Sequence, residues 1–182
     1  MARLFGSAAL FSRRARSLAL LLPLIGAAAL VLLPSSAALS TSAWALESGA
    51  AVALEPLTIV TDPKGAHPVD HALSVEVMRT EAEREHGLME RPYLPADRGM
   101  LFQFDVEQPI LMWMKNTLIP LDMIFISRAG VVTHIHENAE PMSEAIISSK
   151  GPVFSVLEVN AGYARKIGLK PGDLVRHAIF RP

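Results

Sequence analysis

The sequence predicts an α+β domain built on a curled, mostly antiparallel β-sheet, a partial barrel of six or seven short strands with two short helices. Three observations predict it. Short apolar runs of strand character recur from residue 55 onward, punctuated by Gly, Pro, Asn and Asp. Only two stretches carry helix signals, and both are brief. The chain has no cysteine, so one apolar core, and not a disulfide framework, must hold it.

The N-terminus reads differently from the rest. Arg3, Arg13, Arg14 and Arg16 form a basic region without acids, Leu18 to Leu33 is almost wholly apolar, and small residues lead to Ala43-Trp44-Ala45. That is the pattern of a secretory signal peptide. The expected organisation is a signal peptide over 1–45, a flexible leader over 46–54 and one α+β domain over 55–182. The chain is therefore expected to be exported, periplasmic or secreted, and to meet the membrane only through an uncleaved signal segment. All 18 acids follow Ala45, whereas four of the 17 basic residues precede it, so the exported part carries 13 basic and 18 acidic groups, net −5. With no basic stripe, nucleic acid is not an expected partner.

The elements follow in order. Glu55 to Thr61 is a strand through Leu57, Ile59 and Val60, closed by an Asp62-Pro63-Lys64-Gly65 turn. Ala72 to Met78 alternates, with Leu73, Val75 and Val77 on one face and Ser74 and Glu76 on the other. Thr80 and Glu83 have capping-box spacing, so a helix runs to His86 and Gly87 stops it, with Leu88 and Met89 tucked beneath. Its charges, Glu81, Glu83, Arg84 and Glu85, form a solvated face. After a loop to Arg98, Gly99 to Phe104 is a strand and Asp105 to Gln108 a connection. Ile110 to Lys115 and Leu121 to Ser127 are strands on either side of Pro120. Arg128-Ala129-Gly130 is a three-residue hairpin loop leading into Val131 to Glu137. Asn138 to Gly151 reads as irregular, and Val153 to Val159 as a strand. A short helix from Asn160-Ala161-Gly162 through Ile167 stops at Gly168. A turn over Leu169 to Asp173 then leads to a last strand, Leu174 to Phe180.

Four blocks carry a resemblance. They are Thr80 to Met89, ending in Glu85-His86-Gly87-Leu88-Met89, then Gly99-Met100-Leu101-Phe102, the run from Met112-Trp113-Met114-Lys115-Asn116-Thr117 to Ile126, and Val156 to Gly162 with Gly172-Asp173. In order and spacing the chain from about Leu57 to Phe180 resembles the domain-of-unknown-function family DUF192. The resemblance implies a compact α+β domain, often exported, and brings no activity with it.

The residues offer several sites. Lys115, Asn116 and Thr117 present donors and a cation in a row. With Asp122 and Glu158 they form the expected ligand-binding set of a non-catalytic binding or accessory domain of the cell envelope. Its partner would be a small molecule or an envelope component. Asn116 and Thr117 also suit a turn before Pro120. Glu158 lies among Val156, Leu157 and Val159, where an unpaired charge is costly, and Lys115 is its expected partner. A second reading is a hydrolase or lyase acting on envelope polymers, with Asp122 and Glu158 as acid–base pair and His136 as an oriented base. The competing view makes Asp122, Glu158 and Asp173 backbone-bonded acids at strand ends and turns. A third reading is a periplasmic copper(I) protein, since Met112, Met114, His134 and His136, with Met100 and Met123, supply thioethers and imidazoles. Core packing explains the same methionines.

No cofactor is expected, because there is no phosphate-binding glycine loop, nucleophile elbow or zinc-protease motif. His67, His71 and His177 are expected at exposed or edge positions. Trp113 is expected in the core between sheet and helix. The three-residue hairpin loop places Ser127 opposite Val131, and counting back from it sets Asp122 opposite His136.

Overall fold

The computed structural model describes residues 53–180. The signal-peptide reading, its cleavage site and most of the leader lie outside the described residues. β1 (Leu54–Thr61), β2 (Val69–Met78), α1 (Glu81–His86), β3 (Arg98–Met112), β4 (Leu121–Ile126), β5 (Val132–Ala139), β6 (Ile147–Asn160), α2 (Tyr163–Ile167) and β7 (Leu174–Arg176) follow in order. The seven strands form one sheet in the order β5-β4-β6-β3-β2-β1-β7. Every strand pairing is antiparallel except β2–β3, the pair that α1 connects. This is the expected α+β partial barrel, with the sheet dominant. Among the described residues no helix is long and apolar enough to cross a membrane.

Curling brings the two edges of the sheet together. The Val132 N–H donates to Asp173 O at 2.9 Å, and the Val175 N–H donates to Gly130 O at 2.7 Å. Gly130 has φ 79°, and a Cβ there would lie 2.5 Å from Val175 O. Hairpin conformation and barrel closure therefore demand the same glycine. Inside the curl lies a core drawn from all seven strands, including Leu57, Val75, Leu101, Ile124, Val132, Leu157 and Val175, with Ala164 of α2. The outer face carries a second apolar layer: Met78, Met100, Phe102, Met123, Phe125 and Val156, covered by Leu88, Leu94, Met114 and Ile147. Both faces of the central strands are buried, which is why all six residues of β4 are inaccessible.

The local signals behave as expected. Thr80 and Glu83 form the full capping box, and α1 buries none of its residues. The longer-range readings need correction. Strand β3 continues through Asp105–Gln108, although its pairing with β6 shifts there, so the expected break exists as a bend within one strand. Beyond it, β3 and β6 run on as a two-stranded ribbon to Met112, and β6 begins inside the stretch read as irregular. Ile110 and Ile147 pack downward, while Leu111 (62%), Trp113 (38%) and Ile146 (60%) stay exposed. Trp113 is therefore not a core residue. The Trp113→Ala variant is expected to lose less than about 1 kcal/mol in denaturant unfolding, as for a surface site. A loss above about 3 kcal/mol would show a buried indole.

The hairpin also corrects the β4–β5 register. Ser127 and Val131 close the three-residue loop, with the Ser127 N–H donating to Val131 O at 2.9 Å. Ile126 faces Val132 as expected, but the pairing then shifts by one residue, so Phe125 faces His134 and Met123 faces His136. A single inserted residue sends every later side chain to the opposite face. Asp122 and His136 thus point to opposite sides of the sheet, and the proposed orientation of that histidine by Asp122 is lost.

Candidate functional site

Four acids are buried among the described residues: Glu76, Asp122, Glu158 and Asp173. Three have partners. Asp122 accepts the Asn138 N–H on Oδ1 and the Ala164 N–H on Oδ2, each at 2.9 Å. Asp173 accepts the Asp62 N–H at 2.9 Å and the Lys170 N–H at 2.8 Å. Glu76 forms a two-pronged pair with the Arg91 guanidinium at 2.6 and 2.7 Å. These are structural clamps, in which fixed donors repay the desolvation of each carboxylate.

Glu158 is the exception. It is 5% exposed, yet among the described residues no hydrogen bond or ion pair reaches its carboxyl. Burial alone pushes its pKa up to about 8. It stands on β6 directly between Met100 of β3 and Met123 of β4, so its side chain shares their outer face. His136 lies opposite Met123 on the next strand. One level of the sheet therefore reads His136, Met123, Glu158, Met100 across four adjacent strands. The loops that cross this face are tied together, with the Glu90 N–H donating to Asn116 O at 2.8 Å and Asn160 Nδ2 donating to Leu94 O at 3.0 Å.

The expected five-residue set does not converge. Asp122 pairs with Val159 and lies on the inner face, opposite in sense to Glu158. The two acids cannot share a cleft, which separates the acid–base pair. Lys115 does not reach Glu158; its Nζ sits 5.3 Å over the Trp113 ring. Asn116 and Thr117 shape the turn. Asn116 has φ 56°, and the Thr117 N–H donates to Met114 O at 3.1 Å while its carbonyl accepts the Met142 N–H at 3.0 Å. Of the copper candidates, Met114 is buried and Met112 half-buried against the outer layer that holds Met100 and Met123. His134 stacks on Phe125 with centroids 5.6 Å apart, and burial lowers its pKa.

Two features escaped the sequence reading. His177 follows the edge strand β7, as expected, but its side chain is buried. Its Nε2 lies 3.4 Å from Glu55 Oε2 but makes no hydrogen bond, and burial lowers its pKa. Close by in sequence, Ile179 lines a cleft of about 470 Å³ with Arg79, Gln103, Asp105, Arg128 and Phe154. Both of its cations are already engaged, Arg79 with Glu55 at 2.9 Å and Arg128 at 4.2 Å over Phe154. Its walls come from segments far apart in the chain, so no local motif marks it.

Fold and site together define a small curled-sheet domain with an acid that has no partner among the described residues, set in a largely apolar outer layer. The chain belongs to the DUF192 family, described as an uncharacterized ACR, whose model matches residues 61–177. It is similar to the crystal structure of a "putative transcription regulator" from Sinorhizobium meliloti 1021, with 46% identity and TM-score 0.66, covering 70% of this chain and 96% of that one. It is also similar to a protein of unknown function from Novosphingobium aromaticivorans DSM 12444, with 40% identity and TM-score 0.62, covering 68% and 84%. No curated protein matches the chain.

Proposed function

We propose that this is an exported, non-catalytic ligand-binding domain of the cell envelope, with its ligand seated on the outer face of the sheet at Glu158. The observation that carries this reading is the contrast among the four buried acids. Three are satisfied within the fold, and Glu158 alone has a polar group left over for something outside the chain. A largely buried carboxyl without a protein partner is costly, and the Glu158 oxygens are not sealed from solvent, since among the described residues only His177 Nε2 is fully buried without a hydrogen bond. The non-catalytic part rests on isolation: Asp122 serves the inner face, and Glu76, two strands away on the outer face, is held by Arg91. Export rests on the basic, apolar and small-residue pattern of residues 1–45. Regulation through DNA contact, which the Sinorhizobium description invites, has little support in a chain whose acids outnumber its bases after Ala45.

One experiment tests both parts. The wild-type chain and Glu158→Gln are expressed with the native leader, recovered from the periplasmic fraction and weighed intact by native mass spectrometry. A chain beginning at Leu46 is expected, carrying a small non-covalent adduct that the Glu158→Gln variant lacks. Full-length chain confined to the membrane fraction would refute export. A wild-type chain without adduct, or the same adduct on both chains, would refute the Glu158 site.

A further inference from the structure

The row that contains Glu158 has a chemical character of its own. Met100 and Met123 are its direct cross-strand neighbours on either side, both wholly buried. His136 stands one strand further out, half-buried. Adjacent strands lie about 4.8 Å apart, and methionine is unbranched with three rotatable bonds. Two thioethers on strands flanking the carboxyl can thus swing toward one point above it. Methionines alone would be core filling. The acid between them is what core filling does not explain, since any aliphatic residue would pack there without the desolvation cost.

We infer that His136, Met123, Glu158 and Met100 form a site for a soft monovalent metal ion, Cu(I), a reading that rests on the Glu158 binding site proposed above. Thioether and imidazole donors select Cu(I) over hard cations. Calcium needs six to eight oxygen ligands and magnesium an octahedral oxygen shell, while this row offers one carboxyl. The nearest further acid across the sheet, Glu76, is held by Arg91. Charge selects in the same direction. One carboxylate neutralises a monovalent ion, whereas a divalent ion would leave a net positive charge inside an apolar layer. With no cysteine in the chain, thiolate ligands do not enter. Export would bring the site to a compartment where thioethers, and not free thiols, are the durable soft ligands.

The test is an anaerobic titration of the purified chain with Cu(I) against a chromophoric Cu(I) chelator, repeated with Ag(I) as a redox-inert substitute. Wild type is expected to take one equivalent of either ion and to unfold at higher temperature when loaded. X-ray absorption of the Cu(I) form should show two sulfur neighbours together with nitrogen or oxygen. Met100→Leu/Met123→Leu nearly conserves volume and should keep the apo-protein's circular dichroism. Its affinity should fall by more than about 100-fold, since changes to groups behind the ligands alone cost about 10–100-fold. Wild type that leaves Cu(I) with the chelator, or a double variant that binds as well as wild type, overturns the metal assignment. If the periplasmic adduct is still lost in Glu158→Gln, only the metal falls and the binding site stands. If the adduct is absent as well, both readings fall.

Discussion

Raising the pH from about 4.5 to 8 is expected to cost the wild-type domain about 3–5 kcal/mol of folding stability, and Glu158→Gln is expected to remove that part of the loss. The folded chain holds Glu158 buried, with a pKa pushed up to about 8 from the ordinary 4.5. Between those values the folded state keeps a proton that the unfolded state releases. Unfolding therefore gains from every rise in pH across the window. The contribution is fully present below the unfolded value and has gone once pH passes the folded one. Glutamine has nearly the same shape and no proton to lose, so the difference between the two slopes isolates this group from every other ionisable group in the chain. The effect is a large share of the 5–15 kcal/mol typical of a domain. Urea unfolding of both chains at pH 5, 6, 7 and 8 measures it. Parallel slopes would mean that Glu158 titrates like an exposed acid, and that the outer layer is open to water.

What the sequence made legible, and what it hid, divides by the range of the interactions involved. The Thr80–Glu83 capping box and the Arg128-Ala129-Gly130 loop were readable because a few adjacent residues decide each of them. The bulge just after that loop was not. Val132 faces Ile126 of β4, but its N–H donates to Asp173 O and its carbonyl accepts the Gly172 N–H in the turn that closes the barrel, and no count along one hairpin contains that demand. Trp113 was misplaced for a related reason. Ile110, Leu111, Met112 and Trp113 are apolar at every position, so alternation cannot say which side faces inward. The ribbon's position over the outer layer decides that instead. Glu158 was half-legible. Its apolar neighbours showed that it would be buried, but charge alone nominated Lys115, and the turn at Asn116 leaves that lysine over Trp113. The row across His136, Met123, Glu158 and Met100 depends on strand order and on the bulged β4–β5 register, neither of which the linear sequence displays.

Asp122→Ala is expected to destabilise the domain by about 3–5 kcal/mol without disturbing the adduct or metal at Glu158. Each Asp122 oxygen accepts one backbone N–H at 2.9 Å, from Asn138 at the end of β5 and from Ala164 in the first turn of α2. Helix α2 has no side-chain cap of its own, because Gly162 stands at its N-cap. Asp122 thus caps it from a strand 42 residues away in sequence. Hydrogen bonds to a charged acceptor contribute about 1.5–3 kcal/mol each, and an amide left buried without an acceptor costs about 1–3 kcal/mol. Ala164 is wholly buried in the inner core, so water cannot replace the lost carboxylate at that amide. Asp122→Asn should cost less, about 1–3 kcal/mol, because a carboxamide satisfies one of the two donors and turns its NH₂ toward the other. Denaturant unfolding gives the magnitudes. Native-state hydrogen exchange gives the location: the Asn138 and Ala164 amides should lose protection in both variants, with Ala164 affected through the fraying of α2. A loss below about 1 kcal/mol in Asp122→Ala, with Ala164 still protected, would show that α2 is held by its apolar contacts alone and that this carboxylate is free for another role. Loss of the Glu158 adduct in a folded Asp122→Ala chain would show that the inner-face clamp and the outer-face site are coupled through β4 and are not independent.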